Sequence, residues 1–129
     1  GKALADMLSS LGMKVTVAAR RKEQLSEAEC SGYGAINLSE AGNMIYLFDY
    51  IFNTVPENIL FETDIRNIRQ DSIFFELASK PYGADSCFFK KHNKKYIMAC
   101  GLPGKHVSFS AAEIIARLVE IFIQKGRQI

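Results

Sequence analysis

Residues suited to binding an anion lie in two loops, each directly behind an apolar run. Ser79 and Lys80 follow one run, and Gly104 and Lys105 follow another. Hydroxyl, ammonium and backbone N–H groups hold carboxylates through charge-assisted hydrogen bonds. In an open parallel sheet the loops behind the strands meet at one edge, where ligands bind. We therefore predict an anionic substrate for these loops, with plain solvation of isolated loop lysines as the alternative.

Two adjacent arginines follow the short β-branched segment 15–19. Dinucleotide enzymes that prefer NAD carry an acidic residue at this place, which binds the ribose 2′-hydroxyl. Arg20 and Arg21 place positive charge where those enzymes carry negative charge. Each arginine can bind a 2′-phosphate by charge-assisted hydrogen bonds of roughly 1.5 to 3 kcal/mol. The pattern favours NADP, with NAD as the second cofactor. An exposed basic first helical turn is the alternative, although cations are unfavourable at a helix N-terminus.

A string of small polar and constrained residues, Asn53, Thr54, Val55 and Pro56, ends a further apolar run. Such side chains, with a proline of fixed φ, can border a nicotinamide ribose without a clash. The same string also suits an ordinary strand-ending turn, so alone it does not separate the two interpretations.

Helices and strands must alternate along the chain to bring these loops to one edge. Leu4, Leu8 and Leu11 form one face of a first helix, and Gly12 suits its left-handed end. Ser39 is predicted to cap a short helical turn. Further strands are predicted at 15–19, 35–38, 50–55, 71–77 and 96–100, and further helical stretches at 20–28, 57–69, 84–93 and 110–125. Strand spacings of roughly 15 to 23 residues indicate a parallel α/β sheet with right-handed crossovers.

The order of elements lacks an opening strand. A doubly wound nucleotide-binding sheet begins with a strand whose GxGxxG turn leads into the first helix. This sequence begins at the helix, and Gly1 stands where the third glycine of that turn would be. We therefore predict a Rossmann-like doubly wound parallel sheet without its first strand, and interpret 1–129 as a fragment of an NAD(P)-binding domain. The predicted cofactor-binding residues are Gly1, Ala19, Arg20, Arg21, Asn53, Thr54, Val55, Pro56, Leu77 and Ala78.

The absent strand is a central one in the strand order 3-2-1-4-5-6, so its loss leaves two open edges. We expect the two flanking strands either to close up directly or to be paired across the gap by a second copy of the chain. Open edges favour self-association, and we therefore expect a homo-oligomer.

Composition and charge exclude several classes of function. With 129 residues, 48% of them hydrophobic and 23% charged, the chain fits one globular domain. A net charge of +2 argues against nucleic-acid binding. No apolar run approaches the roughly 18 to 20 residues of a membrane span, so we expect no membrane contact and a cytoplasmic location.

The cysteines and histidines suggest no chemistry of their own. No metal-ligand pattern is formed by the three cysteines, which are interpreted as reduced, structural thiols: Cys30, Cys87 and Cys100. His92 and His106 lack an acidic partner at a telling spacing.

Four strings, at 17–20, 53–56, 76–81 and 101–105, together resemble the nucleotide-binding C-terminal domain of the A-subunit family of dipicolinate synthase. The Leu-Ala-Ser-Lys-Pro and Gly-Leu-Pro-Gly-Lys strings are the specific ones. The resemblance implies a nicotinamide cofactor, chiefly NADP, and oxidation of a dihydrodipicolinate-type compound to dipicolinate in spore formation. It also implies that the partner is the flavoprotein-like B subunit.

The resemblance assigns roles to the two anion-binding loops. Ser79 and Lys80 become the candidate catalytic residues, and they bind the small dicarboxylate substrate together with Gly104 and Lys105. Tyr82 departs from the family pattern, which has a second small residue after the proline. Beyond the second loop, Ser108, Phe109 and Ala112 replace the usual proline and glycine.

Two other functions compete with this one. Another NAD(P)-dependent dehydrogenase, such as a 2-hydroxyacid dehydrogenase, needs an Arg, Glu and His trio that the sequence does not present. A non-catalytic nucleotide-sensing module has no use for carboxylate ligands beside a nicotinamide ring. We therefore predict an NADP-dependent oxidoreductase in the full-length protein, and an inactive fragment when the chain stands alone.

Overall fold

The computed structural model describes residues 2–98. Helices and strands alternate there, and each strand pairing is parallel, which confirms the predicted α/β class. The predicted helix at 110–125 lies outside the described residues, as do Gly1, Gly104 and Lys105. In chain order the elements are α1 (Lys2–Ser10), β1 (Thr16–Ala19), α2 (Lys22–Cys30), β2 (Gly34–Asn37), α3 (Leu38–Met44), a 3-10 turn (Ile45–Leu47), β3 (Tyr50–Asn53), α4 (Glu62–Arg66), β4 (Ile73–Glu76), α5 (Ser86–Lys91) and β5 (Lys95–Met98).

The strands form two separate sheets rather than one. β1 pairs with β2, while β3, β4 and β5 form a three-stranded sheet with β4 in the centre. Within residues 2–98, no strand lies between β1 and β3, so each of them keeps one edge without a strand neighbour. This is the gap that the sequence predicts for the absent first strand. The expectation that β1 and β3 close up directly is wrong.

Helix α1 covers the gap between the two sheets from one face. Leu4 and Leu8 pack in one apolar cluster with Phe75 of β4 and with partly buried residues on both sides of the gap, including Val15 before β1 and Phe52 of β3. The helix therefore joins the two sheets through side-chain packing, without strand pairing between β1 and β3.

A cavity of about 230 Å³ occupies the space between the two sheets. Its walls are the facing strands β1 and β3, the buried side of α1, and residues of the opposite layer such as Ile45, Leu60 and Phe74. Most of these groups are apolar. Apolar side chains that border an open space lack packing partners on that side.

The main core lies on both faces of the three-stranded sheet. All four residues of β4 are buried, as expected for a central strand with a continuous apolar run. Phe75 stacks on Phe52 on the α1 side, with ring centroids 4.8 Å apart. On the other face Phe74 packs against Phe89 of α5. The second face also includes Ile45, Leu60, Ile65, Ile68 and Ala84.

The ends of the helices follow local sequence signals. Gly12 and Gly32, both with φ of +87°, follow α1 and α2, so the predicted stop at Gly12 is confirmed. The cap of α3 is Asn37 rather than the predicted Ser39, because the Asn37 side chain accepts a hydrogen bond from the Ser39 N–H at 3.0 Å. Asn37 also ends β2, so strand and helix join without a loop. Asp85 caps α5 by accepting from the Cys87 N–H at 2.9 Å.

Candidate functional site at the carboxyl ends of the strands

The parallel pairings bring the loops behind β3 and β4 together. Asn53 lies opposite Glu76 in the strand register, and its Nδ2 donates to Glu76 Oε1 at 2.6 Å. The backbone N–H of Leu77 donates to the Asn53 carbonyl at 2.9 Å. The predicted cofactor residues at 53–56 and 77–78 are therefore neighbours in space.

The side chain of Asn53 shapes its own loop. Its Oδ1 accepts from the Val55 N–H at 3.1 Å, and its Nδ2 donates to the Val55 carbonyl at 2.9 Å as well as to Glu76. Asn53 is buried, whereas Thr54 and Pro56 are exposed. Any ligand at this loop would therefore meet Thr54, Pro56 and the backbone before the Asn53 amide.

Glu76 is a completely buried carboxylate that our reasoning from the sequence did not single out. Besides Asn53, it accepts from the Gly83 N–H at 3.0 Å and from the Ala78 N–H at 3.3 Å. A buried carboxylate is costly unless hydrogen bonds satisfy it. The available signal was one acid inside an otherwise apolar strand, a position that acids seldom occupy without a partner.

Gly83 joins the same network from the far end of the loop. Its carbonyl accepts from the N–H groups of Ile59 and Leu60, at 2.8 and 3.0 Å. A Cβ at this position would lie 2.1 Å from Asn53 Nδ2, so the backbone approaches the amide more closely than any side chain permits. Loops 54–61 and 77–83 are thus held together through Gly83.

The candidate substrate residues Ser79 and Lys80 lie at the exposed tip of this loop. The Ser79 carbonyl accepts from the Tyr82 N–H at 3.0 Å, and the Lys80–Pro81 peptide bond is cis. Within residues 2–98, Lys80 forms no ion pair, so its ammonium group is available to an anion. Tyr82 has a φ of +65°, in the left-handed region that glycine adopts without the steric cost of a side chain.

Arg20 connects the edge of β1 to the loop behind β3. Its Nη1 lies 2.6 Å from Glu57 Oε2, and both side chains are more than half exposed. In this structure the Arg20 guanidinium is therefore paired with a carboxylate from the loop behind β3. Arg21 precedes α2 with no side-chain capping bond, and it is exposed, while Ala19 is buried.

His92 has an acidic partner that is distant in sequence and therefore could not be found from spacing. Its Nε2 lies 3.0 Å from Glu62 Oε1, and Lys91 Nζ lies 2.6 Å from the same oxygen. The hydrogen bond from Lys91, and then that from His92, lowers the pKa of Glu62 to about 2. His92 follows α5 and precedes β5, so it lies toward the amino ends of the strands, opposite Lys80.

Among residues 2–98, neither a thiol nor a set of metal ligands is part of this site. Cys30 and Cys87 are free, in agreement with the expected reduced thiols, and both are exposed, while Cys100 lies outside the described residues. In the described part of the chain, no group of three or more His, Cys, Asp or Glu residues could hold a metal ion.

The parallel strands, the flanking helices and the polar loops at the carboxyl edge define a Rossmann-like α/β protein. Among known proteins, the chain is similar to the A subunit of dipicolinate synthase from Bacillus subtilis (strain 168). The two are 29% identical over 132 residues, which cover 98% of this chain and 44% of that protein. No family model matches the sequence. The resemblance inferred from the four strings is confirmed.

Two solved structures agree with this similarity. The crystal structure of the dipicolinate synthase A subunit from Bacillus halodurans matches with a TM-score of 0.79 and 27% identity, over 95% of this chain and 42% of that one. The corresponding structure from Bacillus subtilis matches with a TM-score of 0.78 and 27% identity, over 96% of this chain and 42% of that one. The chain therefore spans less than half the length of these relatives.

Proposed function

We propose that this chain is the NADP-binding part of an oxidoreductase of the type represented by the dipicolinate synthase A subunit. The whole protein would oxidise a dihydrodipicolinate-type compound to dipicolinate in spore formation. The observation that carries the proposal is the joining of three loops at one sheet edge, through Arg20 with Glu57 and through Asn53 with Glu76. The 29% identity to the curated relative supports the choice of reaction.

The residues at the carboxyl edge fit a phosphorylated dinucleotide. Arg20 is exposed and pairs with the Glu57 carboxylate at 2.6 Å. Because the pair lies at the surface, a 2′-phosphate could replace Glu57 as the partner of the guanidinium without a rearrangement of the core. A phosphate offers more charge and more acceptor oxygens than a carboxylate, and arginine binds it in a bidentate manner. Arg21 adds a second positive charge. NAD, which lacks that phosphate, is the weaker alternative.

A bound nicotinamide would accept a hydride from the dihydropyridine ring, and loss of one proton would complete an aromatic product. The contribution of this chain is to hold the substrate in place. The exposed Lys80 ammonium and Ser79 hydroxyl would bind one carboxylate, and the loop at 101–105 would bind the other. Aromatisation supplies the driving force, so orientation is the main task of the protein.

Partners and location follow from the same proposal. The protein partner would be a flavoprotein-like B subunit, and the chain would function in the cytoplasm as part of a homo-oligomer. None of the helices in residues 2–98 is long and apolar enough to cross a membrane.

Titration calorimetry of the full-length protein with NADPH and with NADH tests the cofactor assignment. We expect NADPH to bind at least about tenfold more tightly, allowing for solvent screening of exposed arginines. Arg20→Ala should remove most of this preference. Arg66→Ala, at an exposed arginine of α4, is the matched control and should preserve it. Equal affinities in the wild-type protein would refute the assignment.

A further inference from the structure

A single buried carboxylate connects both ends of the loop that carries Ser79 and Lys80. Glu76 ends β4 and accepts from the Ala78 N–H at the start of the loop, at 3.3 Å, and from the Gly83 N–H at its end, at 3.0 Å. Asn53 Nδ2 donates to it from the neighbouring strand at 2.6 Å. The two loop tip residues themselves are exposed. The carboxylate is thus the internal anchor of an otherwise external loop.

The choice of a carboxylate at this position has a chemical reason. Three N–H donors converge on Glu76, and an ionised carboxylate accepts at both oxygens without presenting a donor of its own. A glutamine of equal size would turn one NH₂ group toward Asn53 or toward Gly83, where it would face another donor. An apolar residue would leave all three donors unsatisfied in a buried place.

We propose that Glu76 is a positioning residue that, together with Asn53, fixes loop 77–83 so that Ser79 and Lys80 can hold the dicarboxylate substrate. This inference rests on the proposed function. It adds that Asn53 and Glu76 join the segments 53–56 and 76–81 as one hydrogen-bonded unit. It also explains why a glycine is required at position 83, since a Cβ there would displace the Asn53 amide from its hydrogen bond with Glu76.

Two measurements on the full-length protein test the role of Glu76. Hydrogen–deuterium exchange reports the protection of the Ala78 and Gly83 amides, and calorimetry with dipicolinate reports binding of the dicarboxylate. In Glu76→Gln we expect exchange in 77–83 to accelerate about tenfold or more, and dipicolinate to bind about tenfold more weakly, as for loss of a charged hydrogen bond. The double variant Asn53→Asp with Glu76→Gln should recover part of both, because the amide introduced on β4 then donates to a carboxylate on β3.

Ser72→Ala is the matched control next to the same strand. Ser72 is fully buried just before the amino end of β4, and its Oγ donates to the Phe48 carbonyl at 2.7 Å. This variant should lower the melting temperature while leaving loop exchange and dipicolinate affinity within about twofold of wild type. The control therefore separates a general loss of stability from the specific effect expected for Glu76→Gln, which is faster exchange in loop 77–83 together with weaker dipicolinate binding.

Gly83→Ala provides a second variant if Glu76→Gln does not fold, because it disturbs the Asn53 contact without altering the carboxylate. Unchanged exchange in 77–83, or faster exchange with unchanged dipicolinate affinity, would overturn the positioning role. If the wild-type protein itself fails to bind dipicolinate, which is the proposed product and carries the same two carboxylates as the substrate, the proposed recognition of a pyridine dicarboxylate is contradicted. The exchange data still decide, in that case, whether Glu76 holds the loop.

Discussion

β1 and β4 are both four-residue parallel strands, yet their surroundings differ. Every residue of β4 is buried between two neighbouring strands and two helical layers, whereas in β1 only Ala19 is buried. β2, the partner of β1, has no buried residue at all. The comparison teaches that strand pairing alone does not bury a strand, because a central place in a covered sheet is also required.

The gap between the two sheets accounts for the difference. The facing edges of β1 and β3 border an apolar cavity, with Leu4 and Leu8 of α1 on one side and Ile45 and Leu60 on the other. An extended segment with apolar residues on both faces, parallel to β1 and β3, would pair with both edges. We propose that such a strand completes the sheet in the full-length protein.

The largest expected difference between the two sheets is in how much a substitution lowers the free energy of unfolding. Phe75→Ala removes a fully buried ring that stacks on Phe52, and we expect a loss of about 3 to 5 kcal/mol. Val17→Ala on β1 removes a half-buried group that borders the cavity, and we expect a loss of about 1 kcal/mol. Urea unfolding of both variants beside the wild type measures the two values. Equal losses would contradict the difference in packing between the two sheets.

The functional groups also divide between the two sheets. Lys80 belongs to the three-stranded sheet and Arg20 to the two-stranded one, so we expect substrate and 2′-phosphate recognition to be separable. Lys80→Met keeps the apolar stem but removes the ammonium, and kcat/KM for the dicarboxylate should fall about tenfold or more, while NADP(H) affinity stays nearly unchanged. Steady-state kinetics and NADPH titration of the full-length protein measure the two effects. Lys90→Met, at an exposed residue of α5, is the control.

An unaltered kcat/KM in Lys80→Met would show that the Lys80 ammonium is solvated and does not bind the substrate. A parallel loss of NADPH affinity would contradict the separation of the two sheets.

The open edges predict self-association of the 129-residue chain. Within residues 2–98, the facing edges of β1 and β3 have no strand partner, and together with the apolar cavity they favour pairing between copies. Sedimentation over a wide range of concentration measures this association. A chain that stays monomeric at high concentration would contradict the prediction.

Sequence patterns predicted the elements better than the contacts between them. The run 71–77 and Gly12 identified β4 and the end of α1, because a mostly apolar run and left-handed backbone are local signals. Asn53 and Glu76 are 23 residues apart, and Arg20 and Glu57 are 37 apart. Those contacts depend on strand register and on loop paths, which periodicity does not fix. The buried role of Glu76 was missed for this reason.

The smallest predicted effect concerns two ion pairs, one in each half of the molecule. Glu62 accepts from Lys91 at 2.6 Å and contacts His92, whereas Glu27 of α2 lies 3.8 Å from Lys2 with both side chains largely exposed. The pKa of Glu62 is lowered from 4.5 to about 2, so the folded state binds fewer protons than the unfolded state between these values. Its contribution to stability is present above about pH 4.5 and is lost as the pH falls toward 2.

Chemical unfolding of the wild type and of Glu62→Gln between pH 6 and pH 2 measures this contribution. The wild type should lose more stability than the variant over that range, and the difference should shrink in high salt because the groups are near the surface. Glu27→Gln should follow the wild-type profile, since a long exposed pair contributes little. If Glu62→Gln also follows the wild type, the contact of α4 with α5 does not depend on this carboxylate, and packing of Ile65 and Phe89 in the shared apolar cluster holds the two helices together.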